Sequence, residues 1–179
     1  MALSEQRRDW AYLLIIGTQL FGMLALDLVG FYPKALWEDP SAPLHFLVSL
    51  RETYVSLSGD PFFAHPQHEP WFEAFLYIEA AAQFPLAVYL VYKLATSKTT
   101  NAATELAGLA FGCLTGMGSV VCCYHLWQLG EDMVGSQQKI MLIYGEYLPF
   151  AIIPIVMGFD MHQRLLSRTN SVETKAKKQ

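Results

Sequence analysis

Four apolar runs constrain this chain more than anything else in it: roughly residues 10–32, 71–93, 102–128 and 139–161. At about 1.5 Å of rise per residue, each is long enough to cross a hydrocarbon core about 30 Å thick as a helix. Barrel strands are excluded, because the runs are too long for them and backbone groups in lipid must be satisfied internally. Composition agrees: 53% of the residues are hydrophobic and 16% charged, and the mean hydropathy is +0.27, outside the usual soluble range. The expected fold is all-α: a polytopic membrane protein built as a four-helix transmembrane bundle.

Pro85, Pro149 and Pro154 interrupt the second and fourth spans, where each frees a carbonyl and invites a kink. Arg7 and Arg8 before "AYLLIIGTQLFGMLALDLVG" imitate a signal peptide. The run is too long for a signal core and lacks a small-residue cleavage site, so it is expected to stay as an anchor. In a four-span topology Arg7, Arg8, Lys93, Lys98, Arg164, Arg168, Lys175, Lys177 and Lys178 fall on one side, against Lys34, Arg51 and Lys139 on the other. The bias predicts that both termini are cytosolic, with Trp10, Trp71 and Trp127 at the interfaces.

The expected organisation is a cytosolic N-tail over 1–9, a membrane domain over 10–166 and a disordered basic cytosolic tail over 167–179. The ending "KAKKQ" resembles a dilysine signal for the endoplasmic reticulum, although a basic tail near anionic lipid reads the same way. The lumenal loop over 33–70 contains "LHFLVSLRETYVSL", with apolar residues at helical spacing. This predicts an amphipathic helix that caps the bundle or acts as a lid.

A net charge of -4 without a basic stripe excludes nucleic acid as a partner. Cys113, Cys122 and Cys123 lack metal-ligand spacing and read as packing residues. No phosphate-cradling glycine loop, nucleophilic serine elbow or metal cluster is visible, so neither cofactor nor metal is expected. Gly112, Gly116 and Gly118 are read as sites of close helix packing, "GCLTG" matching the small-xxx-small pattern. Acidic groups at one level only give no continuous path for a channel.

Ionisable residues inside membrane helices cost about 2.5 to 3.5 kcal/mol each at the centre, which makes them functional candidates. By helical rise from the lumenal span ends, Asp27 lies about 8 Å deep, Glu79 about 12 Å, Glu146 about 10 Å and His125 about 5 Å. Each of the four spans thus offers one titratable group in the same half of the bilayer, as residues lining one cavity should. Gln83 shares a helix face with Glu79, and Gln19 lies two turns from Asp27. Other roles compete: water contact for Asp27, interfacial packing for His125, and hydrogen bonding to proline-freed backbone for Glu146.

Two carboxyls close together in low dielectric titrate as a unit and leave one anion beside one proton donor. That pair suits a cationic amine, or protonation of an alkene with stabilisation of the resulting cation. Glu79 or Glu146 is then the expected donor, Asp27 the stabilising anion and His125 a shuttle to the lumen. A greasy cavity selects a sterol or terpenoid lipid.

"LALDLVGFYP", "GDPFF", "EPWFEAFLYIEAAAQFP" and "YLPFAIIP" resemble, in register, the sigma-2 receptor branch of the emopamil-binding-protein, or EXPERA, superfamily over nearly the whole stretch 10–165. The resemblance implies an endoplasmic reticulum protein, often a homodimer, whose cavity binds sterols and amphiphilic amines. It implies that Asp27 and Glu79 are the pocket acids and that Asp60 gives structural support. The sterol isomerase of that superfamily keeps its catalytic histidine one turn before the second-span glutamate, where this chain has Phe75. Glu146 and His125 depart from the sigma-2 pattern and add acid-base groups. Two functions follow as expectations: proton-transfer chemistry on the lipid, as double-bond isomerisation or protonation-initiated cyclisation, or sterol binding and trafficking without reaction.

Overall fold

The computed structural model describes residues 2–64, 68–97 and 99–176. Among the described residues there is no strand. The helices are α1 (Ala2–Gly22), α2 (Phe46–Ser58), α3 (Pro61–Ala64), α4 (Pro70–Ile78), α5 (Phe84–Thr96), α6 (Ala102–Gln128), α7 (Ser136–Ile140) and α8 (Leu148–Ala176). A π-helical turn, Met23–Asp27, ends α1; another, Glu79–Gln83, joins α4 to α5; a third, Met141–Tyr147, joins α7 to α8. The resulting apolar stretches of membrane length are Glu5–Asp27, Pro70–Thr96, Ala102–Gln128 and Ser136–Ser171. The chain is an all-α multi-pass membrane protein. Leu14, Phe21, Tyr92, Val156 and Phe159 turn their large side chains outward, as helices bathed in lipid do.

Each π turn reaches back five residues instead of four. The Leu28 N–H donates to the Met23 carbonyl at 2.8 Å, Phe84 to Glu79 and Leu148 to Ile143. Pro85 and Pro149 stand one residue past two of these turns, after Phe84 and Leu148. A proline leaves the preceding turn one N–H short, so the register change falls where the ordinary ladder is already broken. Pro154, by contrast, sits inside α8 and presents its carbonyl to α6.

That contact is the tightest in the bundle. A Cβ on Gly112 would lie 2.4 Å from the Pro154 carbonyl oxygen and 3.0 Å from the Gly158 Cα, and one on Gly116 would lie 2.5 Å from Ile155. Only glycine lets α6 and α8 approach this closely. Gly118 has a different role, since it meets only the Phe75 ring, at 3.7 Å, across a cavity. α1 runs along α5, and Ile16, Met23, Leu90, Phe111 and Met157 fill the centre of the bundle. A second core of Phe62, Phe72, Leu76, Leu126 and Leu142 closes the end nearer the long loop.

Two boundaries differ from the sequence expectation. The first span ends at Asp27 rather than near residue 32, because the backbone tightens into a 3-10 turn at Val29–Phe31 and Tyr32 is extended ahead of Pro33. Residues from Ser167 onward, expected to be disordered, continue α8 as helix to Ala176. The reason is electrostatic. Arg168 forks onto Glu105, fully buried on α6, and also donates to the Thr100 carbonyl at 2.6 Å. One turn earlier Arg164 bridges Asp9 and Asp160, at 2.7 Å from each. Lys177, which with Lys175 forms the dilysine-like ending, lies outside the described residues, as do Lys178 and Lys98.

The amphipathic segment of the long loop is helical and caps the bundle. α2 packs on the Met23–Asp27 turn, burying Leu47 against Ala25 and Val29 while Phe46 and Leu57 face outward. Gly59 ends α2 in the left-handed conformation, φ +62°, with Gln138 packed where a side chain would stand. That reversal sends Asp60 into the interior, where its Oδ1 accepts from the Phe62 N–H at 2.9 Å and caps α3.

Candidate functional site

Between the two cores lies a cavity of about 390 Å³, a size typical of small-molecule sites. α1 and its π turn supply Thr18, Gln19, Ala25 and Asp27; α4 and the turn after it supply Phe72, Phe75, Leu76, Glu79 and Gln83. α6 contributes Thr115, Gly118, Ser119 and Cys122, and the last span contributes Glu146, Tyr147 and Phe150. Leu50 and Tyr54 of α2 and Phe63 of α3 close the end beneath the cap.

The cavity-lining acids of three spans, Asp27, Glu79 and Glu146, sit in the three π turns. A wide turn adds a residue per repeat and re-aims the side chains it carries, and such turns concentrate at functional sites. The Asp27 and Glu79 carboxyls meet within hydrogen-bonding reach of one another. Arg51 of α2 is close enough to Asp27 for the two charges to interact. Burial pushes it below the ordinary arginine value while Asp27 pulls it back, and its guanidinium donates to the Phe63 carbonyl at 3.3 Å.

Glu146 enters from the opposite side and is hydrogen-bonded to the Tyr54 phenol. Tyr54 also donates to Asp60 Oδ2 at 2.7 Å, and Tyr147 donates to the same oxygen at 2.6 Å. A phenol carries one proton. If Tyr54 gives it to Asp60, its contact with Glu146 requires a proton on Glu146; if it gives it to Glu146, Asp60 must hold one. For both contacts to be hydrogen bonds, Glu146 and Asp60 must hold one proton between them. Burial holds Asp60 above the ordinary carboxylate value, against the pull of Tyr147, Tyr54 and the Phe62 N–H.

A family model described as EBP: EXPERA (EXPanded EBP superfamily) matches residues 46–161, more than half of the chain's 179 residues. The chain belongs to the EXPERA superfamily. The match runs from α2 into α8, so the EXPERA stretch contains the cap, Asp60, Glu79 and Glu146, while Gln19 on α1 and Asp27 in the π turn that ends it lie before it. No curated protein matches the chain.

Within this EXPERA protein most of the site anticipated from sequence converges. Asp27, Glu79, Gln83, Glu146 and Gln19 all line the cavity. Gln83 is buried and accepts from Thr115 Oγ1 at 2.9 Å. Glu146 finds the Tyr54 phenol as its partner, and Asp60 stands behind the wall, fully buried. His125 is placed apart, packed between Trp71 and Phe62 with ring centroids 5.0 and 5.5 Å away and absent from the cavity lining. It follows Cys122 on the same α6 stripe, one turn past the cavity, where α3 lays Phe62 over it.

Tyr54, Tyr147, Arg51 and Thr115 join the site without having been singled out for it. Tyr54 carried a legible signal, since it lies on the apolar stripe of α2 four residues after Leu50. Phe75, one turn before Glu79, lines the cavity as an apolar face. Among the described residues no three His, Cys, Asp or Glu side chains gather as a metal site.

Proposed function

We propose that this EXPERA protein holds a sterol or terpenoid in the cavity and moves protons on it, shifting a double bond or starting a cyclisation. The observation that carries the reading is the contact between Asp27 and Glu79 inside a largely apolar chamber, with Glu146 on the same chamber. Two carboxyls in contact share a proton, so one is an acid and the other an anion. The acid adds its proton to one alkene carbon, leaving a cation that the neighbouring anion stabilises. Loss of a proton from an adjacent carbon to a carboxylate then forms the new double bond and restores the proton count. In a cyclisation the cation is first captured by a second alkene, and proton loss ends the reaction. The proton held between Glu146, Tyr54 and Asp60 supplies a second donor.

A sigma-2-receptor-like role, binding and trafficking a sterol unchanged, is favoured by Phe75, which gives the cavity an apolar wall where the related isomerase has its histidine. The nine-to-three basic bias supports cytosolic termini, and the dilysine-like ending supports the endoplasmic reticulum. Homodimer formation comes with the sigma-2 likeness.

The test is incubation of the purified protein in nanodiscs with sterols and linear terpenoids in D2O. Protonation followed by deprotonation yields an isomer or cyclised product carrying deuterium, seen by chromatography with mass spectrometry. Glu79→Gln and Glu146→Gln are expected to lose this product. Ligand recovered unchanged and undeuterated across the panel would leave the binding role.

A further inference from the structure

Several polar groups on the cavity wall find partners within the protein. Gln83 accepts from Thr115 at 2.9 Å, Glu146 pairs with Tyr54, and the Thr18 hydroxyl donates back to the Leu14 carbonyl at 3.0 Å. Gln19 Oε1 is buried and, among the described residues, has no hydrogen-bond partner. Gln19 lines the cavity and lies well inside the membrane-length stretch Glu5–Asp27, where no bulk water substitutes for a missing partner. An orphaned amide at this depth is rare enough to need an explanation.

We propose that Gln19 is a second polar subsite, which takes a hydroxyl group of the ligand, so that the lipid is a sterol or terpenoid alcohol held by its oxygen against α1. This rests on the cavity being the lipid site proposed above. The chemistry of the partner follows from the amide. Turned either way, it offers an acceptor or a donor, and a hydroxyl satisfies both. An ionic group is disfavoured, because a second charge in the middle of the span would have no counter-ion there. Gln19 precedes Asp27 by eight residues, about 12 Å of helix. The carboxyl pair therefore acts on carbons several bonds away from the hydroxyl, and the subsite sets which double bond reaches the acids.

The experiment compares each alcohol with its deoxygenated counterpart, cholesterol with cholest-5-ene and farnesol with farnesene, by native mass spectrometry of the protein in nanodiscs. Wild type is expected to bind the alcohol of at least one pair about tenfold more tightly than its hydrocarbon, the scale of one buried neutral hydrogen bond. Gln19→Leu should bring that ratio close to one while still binding the hydrocarbon. Equal binding of both members by wild type, or a ratio unchanged in Gln19→Leu, overturns the subsite and leaves the lipid-site reading standing. Binding of neither member of either pair overturns the lipid-site reading itself. Should Gln19→Leu fail to fold, Gln19→Met, unbranched and close in size, is read in its place against the same two outcomes.

Discussion

The phenol of Tyr54 and the carboxyl of Glu146, 92 residues apart in sequence, are hydrogen-bonded to each other. The bond ties the cap helix to the π turn of the last span, and Asp60 shares the same phenol. Tyr54→Phe removes one hydroxyl and leaves two carboxyls short of a partner, which costs about 1–3 kcal/mol for each buried group left unpaired. Thermal unfolding in detergent should show a larger loss than Tyr147→Phe, after which Asp60 still has Tyr54 and the Phe62 N–H. A double-mutant cycle with Glu146→Gln should reveal coupling between the two positions. Additive losses would mean that the bond does not hold the cap.

Gly112 and Gly118 lie six residues apart on α6 and should respond oppositely to the same change. Gly112→Ala drives a methyl group into the Pro154 carbonyl, 2.4 Å away, and must push α6 from α8. A loss of about 1–3 kcal/mol is expected, the usual range for overpacking. Gly118→Ala meets only the Phe75 ring at 3.7 Å, so stability should hold while the cavity narrows and lipid affinity falls. Unfolding and lipid-binding assays on the two variants separate these outcomes.

Sequence made the architecture legible and the π turns invisible, for physical reasons. Membrane crossing is a matter of run length and hydropathy, which Pro70–Thr96 and Ala102–Gln128 display openly. A shift from four-residue to five-residue hydrogen bonding leaves no mark on composition, so depth could be counted along a helix but direction around it could not. Asp27, Glu79 and Glu146 reached the same cavity on that depth count. His125 did not, because its fate depends on Phe62 of α3, whose position comes only with the Gly59 reversal. Arg164 and Arg168 were legible as charges on one side of the membrane. Asp160, four residues before Arg164 on the same helix, could be paired with it by spacing, whereas Asp9 and Glu105 come from other helices and could not be assigned without the packing.

Asp60 should give the fold a pH dependence of predictable sign. Burial raises its carboxyl above the ordinary aspartate value in the folded protein, so the folded state binds this proton more tightly than the unfolded state. The stability so contributed is fully present below the unfolded value and is lost as pH rises through the folded one. Between wild type and Asp60→Asn, the difference in unfolding midpoint should therefore change with pH from about 4 upward, wild type losing ground as its Asp60 ionises. A difference independent of pH across the acid and neutral range would mean that Asp60 does not change protonation in the fold.

Arg168 makes the distal part of α8 structural rather than dispensable. Its guanidinium holds both oxygens of Glu105, whose side chain is fully buried, while the arginine itself is about half exposed at 48%. Removing the arginine strands a carboxylate in the bundle, whereas removing both partners does not. Truncation after Leu166 should therefore destabilise the protein by about 3 kcal/mol or more, the scale of breaking a buried pair, with Thr100 Oγ1 at 2.8 Å softening the loss. Truncation after Ser171 keeps Arg168 and should leave the unfolding midpoint nearly unchanged. Adding Glu105→Gln to the shorter chain should recover much of the loss, because an amide costs less than a charge to leave in the interior. Equal stability of the two truncated chains would mean that the helix beyond Leu166 carries no load and that Glu105 is satisfied without its arginine.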